Sequence, residues 1–209
     1  MKSHPILFST PMVQAILEGR KTQTRRIIKK KPRIYMIPTC VGRNNKSELD
    51  NNVPRIIPDW GKEVLVKTCP YGVVGDHLWV RETWYYESHM YDKAEGEALY
   101  RYIYKADNPE HPVNVGAGKH GWKPSIFMPK EACRINLEIT NVKVERLQDI
   151  TVEDAKAEGI TKIQCDCGEC IDSTEIGTYQ DLWNSINAKR GYSWETNPFV
   201  WVISFKRIN

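Results

Sequence analysis

The sequence lacks the features that would assign it to a membrane or a secreted class. No run of 18 apolar residues occurs in the 209-residue chain, so no transmembrane helix is predicted. The first five residues carry no apolar segment typical of a signal peptide. Six cysteines are too sparse for a disulfide scaffold, and we expect them to be reduced thiols or metal ligands. These absences predict a cytoplasmic protein without a membrane partner.

Familiar catalytic and phosphate-binding patterns are missing as well. The sequence shows no Ser-His-Asp or His-Glu-x-x-His pattern, and its five histidines are scattered. Gly116, Gly118 and Gly121 do not open a helix after a strand, so a phosphate-binding glycine loop is not predicted. The net charge of +4 permits a nucleotide or nucleic-acid partner but does not require one.

A short basic stretch, Gly19–Arg26, is the most unusual part of what is present. It follows a predicted helix that starts with Thr10 as N-cap and Pro11 at the first position, and Gly19 is expected to end that helix. The stretch holds one lysine, two threonines and three arginines but no apolar side chain. It is therefore either a solvated turn or the floor of an active site, and its alternation predicts an entering strand.

The order of elements predicts an α+β fold. Strands are expected over Leu78–Trp84, Arg134–Glu145 and the near-continuous apolar run Phe199–Lys206, which we expect to be central. A helix is expected to start at Thr151 with a capping box, and another at Ser173 or Thr174. Because regular helices do not separate the strands, we predict a mixed or antiparallel β-barrel with short helices on its rim.

Alternation along the Leu78–Trp84 strand places Leu78, Val80, Glu82 and Trp84 on one face. If that face is the core, Glu82 needs a cationic partner, for which Lys21 or Arg26 is the hypothesis. The alternative is a solvated Glu82 at the strand end.

Two segments with unusual composition each have two interpretations. The aromatic stretch Trp122–Pro129 is suited to stacking a nucleobase or to a loop pinned to the core. Cys165, Cys167 and Cys170 are able to ligate one structural zinc ion if a fourth ligand such as Cys133, Cys69 or a histidine approaches; otherwise they are loop thiols.

Glu158 is out of place by local rules. It falls in the last turn of the helix that begins at Thr151 and ends at Gly159, where a negative charge opposes the helix dipole. Residues that break a local rule are candidates for function, although such a side chain also commonly points to water.

The chain resembles ASCH domains of the PUA-like superfamily in several motifs. Gly19-x-Lys21-x-x-Thr24-x-Arg26 after a short helix is similar to the ASCH signature, and Gly75–Glu82 resembles a barrel strand of the larger phage- and prophage-associated members. Pro124–Pro129 and Trp201–Phe205 extend the resemblance over most of the chain. It implies a single domain over residues 1–209 with a PUA-like barrel and insertions at about 29–62 and 161–173.

The resemblance also implies a function. Small bacterial ASCH proteins hydrolyse the acetyl amide of N4-acetylcytidine with a lysine, a threonine and a glutamate, which fall here on Lys21, Thr24 and Glu158. Other members bind or cleave RNA, so the implied partner is a modified nucleoside or RNA. A phage structural or regulatory module with an inactive site is a third interpretation. No cofactor is implied for catalysis.

These residues suit amide hydrolysis. Thr24 supplies a hydroxyl nucleophile, and Lys21 accepts its proton if burial and neighbouring cations lower the lysine pKa, whereas a paired Glu158 raises it. Which influence dominates is not decided by the sequence. Candidate substrate-binding residues, serving as cations, as oxyanion stabilisers or as stacking surfaces, are Arg20, Arg25, Arg26, Arg81, Glu82, Trp79, Trp84 and Trp122.

Overall fold

The computed structural model describes residues 1–29, 69–88, 100–110, 121–161 and 174–208. These ranges contain ten helices and strands: β1 (Ser3–Leu7), α1 (Thr10–Leu17), β2 (Gln23–Ile27), β3 (His77–Arg81), β4 (Trp84–Ser88), β5 (Tyr100–Tyr104), β6 (Asn136–Arg146), α2 (Val152–Ala157), α3 (Glu175–Asn187) and β7 (Phe199–Arg207). Short 3-10 turns lie at Ser125–Phe127, Lys130–Ala132, Leu147–Asp149, Ala188–Arg190 and Trp194–Thr196.

Five strands form one mixed sheet in the order β1-β3-β6-β7-β2, while β4 and β5 pair separately. β1 runs parallel to β3, and the other neighbours are antiparallel. The predicted α+β class with a mixed sheet is therefore confirmed. Within the described residues β1 and β2 are the edges of the five-stranded sheet, and no pairing between them closes a barrel.

β7 is the buried strand that its apolar run predicts. It lies between β6 and β2, and Trp201, Ile203 and Phe205 alternate with Val200 and Val202, all of them buried. Because successive side chains point to opposite faces, this strand contributes to the core on both sides of the sheet.

Helices cover the two faces of the sheet. On one face α1 packs Val13 and Ile16 against the cluster that includes Ile203. On the other face, Ala155 of α2 and Trp183 of α3 pack with the cluster around Val202. β2 therefore lies at an edge with α1 on one side and α2 and α3 on the other.

The helix starts follow the predicted cap chemistry with one correction. The N-cap of α1 is Ser9 rather than Thr10, and Pro11 lies in the first turn. In α2, the Thr151 hydroxyl accepts from the Asp154 amide at 3.1 Å, and the Asp154 carboxylate accepts from the Thr151 amide at 3.4 Å. The predicted capping box is thus confirmed, and Thr174 is the cap of α3.

The two predicted insertions lie outside the described residues, except for their first residues, Lys29 and Thr161. No helix in the described ranges has the length and apolarity needed to cross a bilayer.

Candidate active site

Lys21 lies where the chain leaves α1 and enters β2. Gly19 has a φ of +76°, which glycine adopts without strain and which turns the chain at the end of the helix. The Lys21 amide then donates to the carbonyl of Ala15 at 3.0 Å, and Lys21 pairs with Glu158 in an antiparallel bridge. The lysine is consequently fixed by α1 on one side and by the end of α2 on the other.

The Lys21 side chain is fully buried and is bound to a single residue. Its Nζ donates to Glu158 Oε2 at 2.7 Å and to the Glu158 carbonyl at 2.8 Å. The same nitrogen lies 5.6 Å from the centroid of the Phe8 ring. Of the two interpretations of the basic stretch, the solvated turn is therefore wrong for this residue.

Glu158 is the C-cap residue of α2, where an acidic side chain is unfavourable because of the helix dipole. The residue is 6% exposed, so water does not compensate the charge. Instead Lys21 contacts Oε2, and Arg25 Nη1 lies 3.5 Å from Oε1. A cation at each oxygen offsets the unfavourable helix dipole and fixes the carboxylate orientation.

Gly159 brings the end of α2 close enough for this contact. Its φ is +87°, and a Cβ at this position would lie 2.9 Å from the Ala15 Cβ and 3.1 Å from the Lys21 Cβ. A glycine is required here both by the backbone conformation and by the close approach of α1.

Arg25 connects three elements through carboxylates. Its Nη2 lies 2.8 Å from Asp154 Oδ2 and 3.4 Å from Glu145 Oε2, in addition to the contact with Glu158. The side chain is fully buried. Asp154 thus caps α2 and also binds β2, which couples the helix start to the candidate site.

Burial determines the direction in which the pKa of Lys21 is shifted, which the sequence alone did not decide. Removal from water lowers the pKa of Lys21, and the cations Arg25 and Arg26 lower it further, while Glu158 opposes them. Because desolvation is the largest of these influences, the pKa lies below the ordinary lysine value. The Lys21 amine therefore loses its proton at a lower pH than an exposed lysine does.

A cavity of about 280 Å³ opens beside this pair. Thr24, Arg26 and Glu158 contribute to its wall, and Thr24 itself is 3% exposed. Much of the remaining wall is apolar or aromatic and includes Leu7, Met12, Tyr71, Leu182 and Trp183. A concave space that combines apolar and aromatic side chains with convergent polar groups is a candidate small-molecule site.

The edge position of β2 explains why neighbouring residues of the strand share one cavity. Side chains of a strand alternate between faces, so Thr24 and Arg26 lie on one face and Arg25 and Ile27 on the other. All four line the cavity. This is possible because no described strand covers the outer edge of β2, and the cavity extends around that edge.

Arg26 has one buried polar atom for which the described residues provide no partner. Its Nη2 donates to the Leu7 carbonyl at 2.7 Å, and its guanidinium lies 5.1 Å from the Phe8 ring centroid. Burial lowers the pKa of this guanidinium from its ordinary value. Its Nε is buried, and no described residue accepts a hydrogen bond from it. An unsatisfied buried donor on a cavity wall is a candidate for a ligand contact.

The predicted substrate-binding residues of β3 lie elsewhere and do not line this cavity. Arg81 donates from Nε to the Met128 carbonyl at 3.1 Å and also to the Ile126 carbonyl, and it lies 5.3 Å from the Trp79 ring centroid. These contacts fasten the turn at Ser125–Phe127 to the sheet.

Glu82 is buried, as its alternation with Leu78 and Val80 predicts, but its partner is different. Arg134 binds it with two hydrogen bonds, Nε to Oε1 at 2.9 Å and Nη2 to Oε2 at 3.0 Å. The hypothesis of a partner in Lys21 or Arg26 is wrong, because those side chains serve Glu158 and Leu7 instead.

The remaining predicted residues are also separate from the cavity wall. Trp84 is buried beside Met128, with Lys123 Nζ 4.8 Å from its ring centroid, and Trp122 is partly buried. Arg20 is 40% exposed and binds Glu18 and the Gly159 carbonyl. Of the predicted site residues, Thr24, Arg25, Arg26 and Glu158 line the cavity in the described part of the chain. Lys21 is not on its wall but binds Glu158.

The proposed zinc ligands Cys165, Cys167 and Cys170 lie outside the described residues. In the ranges that the structure does describe, no group of three or more metal-ligating side chains occurs. The two described cysteines, Cys69 and Cys133, are free thiols whose pKa is raised by burial.

Comparisons with protein-family models, with curated proteins and with solved structures find no match to this chain.

The sequence did not reveal that α3 forms part of this wall. Tyr179, Leu182, Trp183 and Ile186 recur at helical spacing, which predicts a core-facing stripe. Tyr179 and Trp183 are buried, whereas Ile186 is 44% exposed. All four line the cavity. A helical stripe has the same spacing against a core and against a cavity, so periodicity does not distinguish them.

Proposed function

We propose that this chain is an amide hydrolase that removes the acyl group from N4-acylated cytidine, on a PUA-like barrel framework of the ASCH type. The observation that carries the proposal is that Glu158, which is distant in sequence, lies beside the segment that holds both Lys21 and Thr24. Lys21 Nζ lies 2.7 Å from Glu158 Oε2, and Glu158 shares a cavity wall with Thr24.

Lys21 acts as the general base in its neutral form. A neutral amine has two N–H groups, and the two oxygens of Glu158 within 2.8 Å accept both of them. Its lone pair is then available for the proton of Thr24. Glu158 orients the base in the way that a carboxylate orients the histidine of a hydrolase triad.

The reaction proceeds in two steps. The Thr24 oxygen attacks the amide carbonyl while its proton passes to Lys21, and Arg26 stabilises the tetrahedral oxyanion. Cleavage of the C–N bond releases cytidine, whose amine takes that proton, and leaves an acyl ester on Thr24. Water then attacks the ester with Lys21 again as the base, which releases the carboxylic acid and restores the threonine hydroxyl.

The size and lining of the cavity agree with a substrate of this class. Its volume of about 280 Å³ lies near the lower end of typical ligand pockets, ~300–1,000 Å³, which suits one nucleoside rather than a longer ligand. The rings of Tyr71, Tyr179 and Trp183 on the wall offer apolar contact to a base. These aromatic side chains replace Trp79, Trp84 and Trp122 as the proposed base contacts.

The alternative function is an RNA- or DNA-binding module, or a ribonuclease, that uses the same basic cleft. The buried positions of Lys21 and Arg25 favour it less, because carboxylates already take up their charges. It predicts RNA affinity that falls steeply with salt, without release of cytidine from an acylated nucleoside.

Replacement of Thr24 by valine tests the proposed hydrolase. Valine keeps the branched shape of threonine at its position opposite Ile203 but lacks the hydroxyl. We expect Thr24→Val to lower kcat for cytidine release from N4-acetylcytidine by about 10⁶-fold, as for other lost nucleophiles. The Thr24→Ser variant keeps a hydroxyl and should retain turnover.

Liquid chromatography of the released cytidine measures both variants, and thermal unfolding confirms that each is folded. Equal turnover by Thr24→Val and the wild type would exclude Thr24 as the nucleophile.

A further inference from the structure

Two cations on the cavity wall have no role in the proposed chemistry. Lys29 follows the end of β2, and Arg190 lies in the 3-10 turn after α3. Both are exposed residues, and both line the same cavity as Thr24 and Glu158. Neither forms an ion pair with a residue in the described ranges.

The charges around this cavity do not balance. Glu158 is contacted by Lys21 and by Arg25, and Arg25 is also paired with Asp154 and Glu145. Lys29 and Arg190 lack such carboxylates among the described residues, and Glu158 is the one acidic residue on the described wall. The unmatched charge is therefore positive, and it favours a ligand with an anionic group.

We propose that Lys29 and Arg190 form a phosphate site at this cavity, so that the preferred substrate is a phosphorylated N4-acylated cytidine rather than the free nucleoside. This inference rests on the proposed function for the identity of the base. The phosphate contact itself follows from the two unmatched cations.

The spacing along β2 agrees with a ligand of this length. Lys29 follows Thr24 by five positions, which is at most about 17 Å in an extended chain. A lysine side chain that reached back toward Thr24 would shorten this span. What remains is comparable with the separation of the exocyclic nitrogen and the 5′-phosphate in one nucleotide.

The two residues suit a phosphate in complementary ways. The guanidinium of Arg190 offers paired N–H donors in the geometry of phosphate oxygens, and Lys29 adds a flexible point charge. They belong to different elements, a strand end and a helix end, so a phosphate bound by both would be contacted from two directions.

Equilibrium titration with cytidine and with cytidine 5′-monophosphate tests the site independently of catalysis. We expect the wild-type protein to bind the monophosphate about tenfold more tightly, and the preference to weaken as salt is raised. The double variant Lys29→Ala/Arg190→Ala should bind both ligands equally. Lys189→Ala is the matched control, because Lys189 is exposed in the same turn but does not line the cavity.

Hydrolysis separates failure of this inference from failure of the proposed function. We expect kcat/KM for the 5′-monophosphate of N4-acetylcytidine to exceed that for the nucleoside, and the double variant to remove the difference while nucleoside turnover persists. Equal binding of nucleoside and monophosphate by the wild type would overturn the phosphate site, whatever the turnover. Absence of turnover with both substrates, alongside preferential binding of the monophosphate, would overturn the hydrolase alone.

The source of the phosphate is distinguished by a third ligand. A short single-stranded RNA with one central cytidine carries phosphodiesters rather than a terminal phosphate. Tighter binding of this RNA than of the monophosphate, again lost in the double variant, would assign the site to the phosphate of a polymer. Tighter binding of the monophosphate would assign it to a free nucleotide.

Discussion

At the scale of single residues, the burial of Lys21 and Glu158 in contact with each other is the feature that stability explains least. A buried ion pair contributes little net stability, because removal of both charges from water offsets their attraction. Two apolar side chains of similar volume would fill the same space with equal or greater stability. The pair is better explained by chemistry, since a desolvated lysine held by one carboxylate is suited to act as a base.

The pH dependence of catalysis follows from the lowered pKa of Lys21. Below that pKa the nitrogen is protonated and does not accept the Thr24 proton, and above it the amine is neutral. We therefore expect kcat/KM for N4-acetylcytidine to rise with pH and to reach its plateau below the ordinary lysine pKa. Rates measured over a series of buffers of constant ionic strength provide the profile.

The Glu158→Gln variant supplies the control for that profile. Glu158 raises the Lys21 pKa, so loss of its charge lowers that pKa further, and the rising limb should move to lower pH. A variant that merely loosened the fold would reduce the rate without moving the limb. A profile that instead falls across this range would mean that Lys21 acts as a cation rather than as a base.

At the scale of elements, the site depends on how closely α1 and the end of α2 approach. Gly159 lies between them, with a left-handed backbone and no space for a Cβ. Gly159, which has no side chain, therefore allows Lys21 and Glu158 to come into contact. This also explains why the short helix α2 ends at a fixed place relative to β2.

Substitution of Gly159 by alanine tests this arrangement. We expect Gly159→Ala to lower the free energy of unfolding by about 2–5 kcal/mol, from left-handed strain of ~1–2 kcal/mol and overpacking of ~1–3 kcal/mol. Urea unfolding followed by tryptophan fluorescence measures the loss.

Gly75 provides a matched control because its φ is also +87° while no atom lies within 4 Å of its Cβ position. Gly75→Ala should show the strain of about 1–2 kcal/mol alone. If the two variants lost the same stability, the close packing of α1 against Gly159 would not contribute.

The sequence predicted elements well where local rules govern them. The capping box at Thr151 and Asp154, the helix stop at Gly19 and the buried strand β7 each depend on neighbours in the chain, and each is present. Glu158 was singled out for the same reason, since its conflict with the helix dipole is visible locally. The identity of its partner came from a resemblance in motifs.

Long-range partners could not be predicted from local patterns. The alternation of residues along the strand correctly predicted that Glu82 is buried. Nothing in the sequence, however, distinguishes Arg134 from Lys21 or Arg26 as its cationic partner. Similarly, the stripe of α3 predicts a buried face but not that part of this face borders a cavity. Both depend on how separate elements pack, which the periodicity of one element does not encode.

At the scale of the whole molecule, the candidate site lies at the edge strand of a mixed sheet. Among the described strands none pairs with the outer edge of β2, and the cavity is lined by residues from both faces of this strand. The helices on the two faces of the sheet complete the site. α1 holds Lys21 in place, Glu158 lies at the end of α2, and α3 contributes aromatic side chains to the cavity wall. A central strand such as β7, paired on both sides, does not offer this access.

The central claim, that Lys21, Thr24 and Glu158 form one amide-cleaving site, is tested most directly by cytidine release from N4-acetylcytidine in the Lys21→Met variant. Methionine keeps an unbranched chain without the amine, and Lys206→Met is the control because Lys206 is a 61% exposed lysine paired with Glu138. The account predicts that the wild type and Lys206→Met release cytidine at the same rate, while Lys21→Met is slower by about 10²- to 10⁴-fold and remains folded. Absence of cytidine release by the wild type, or equal release by Lys21→Met, would contradict it.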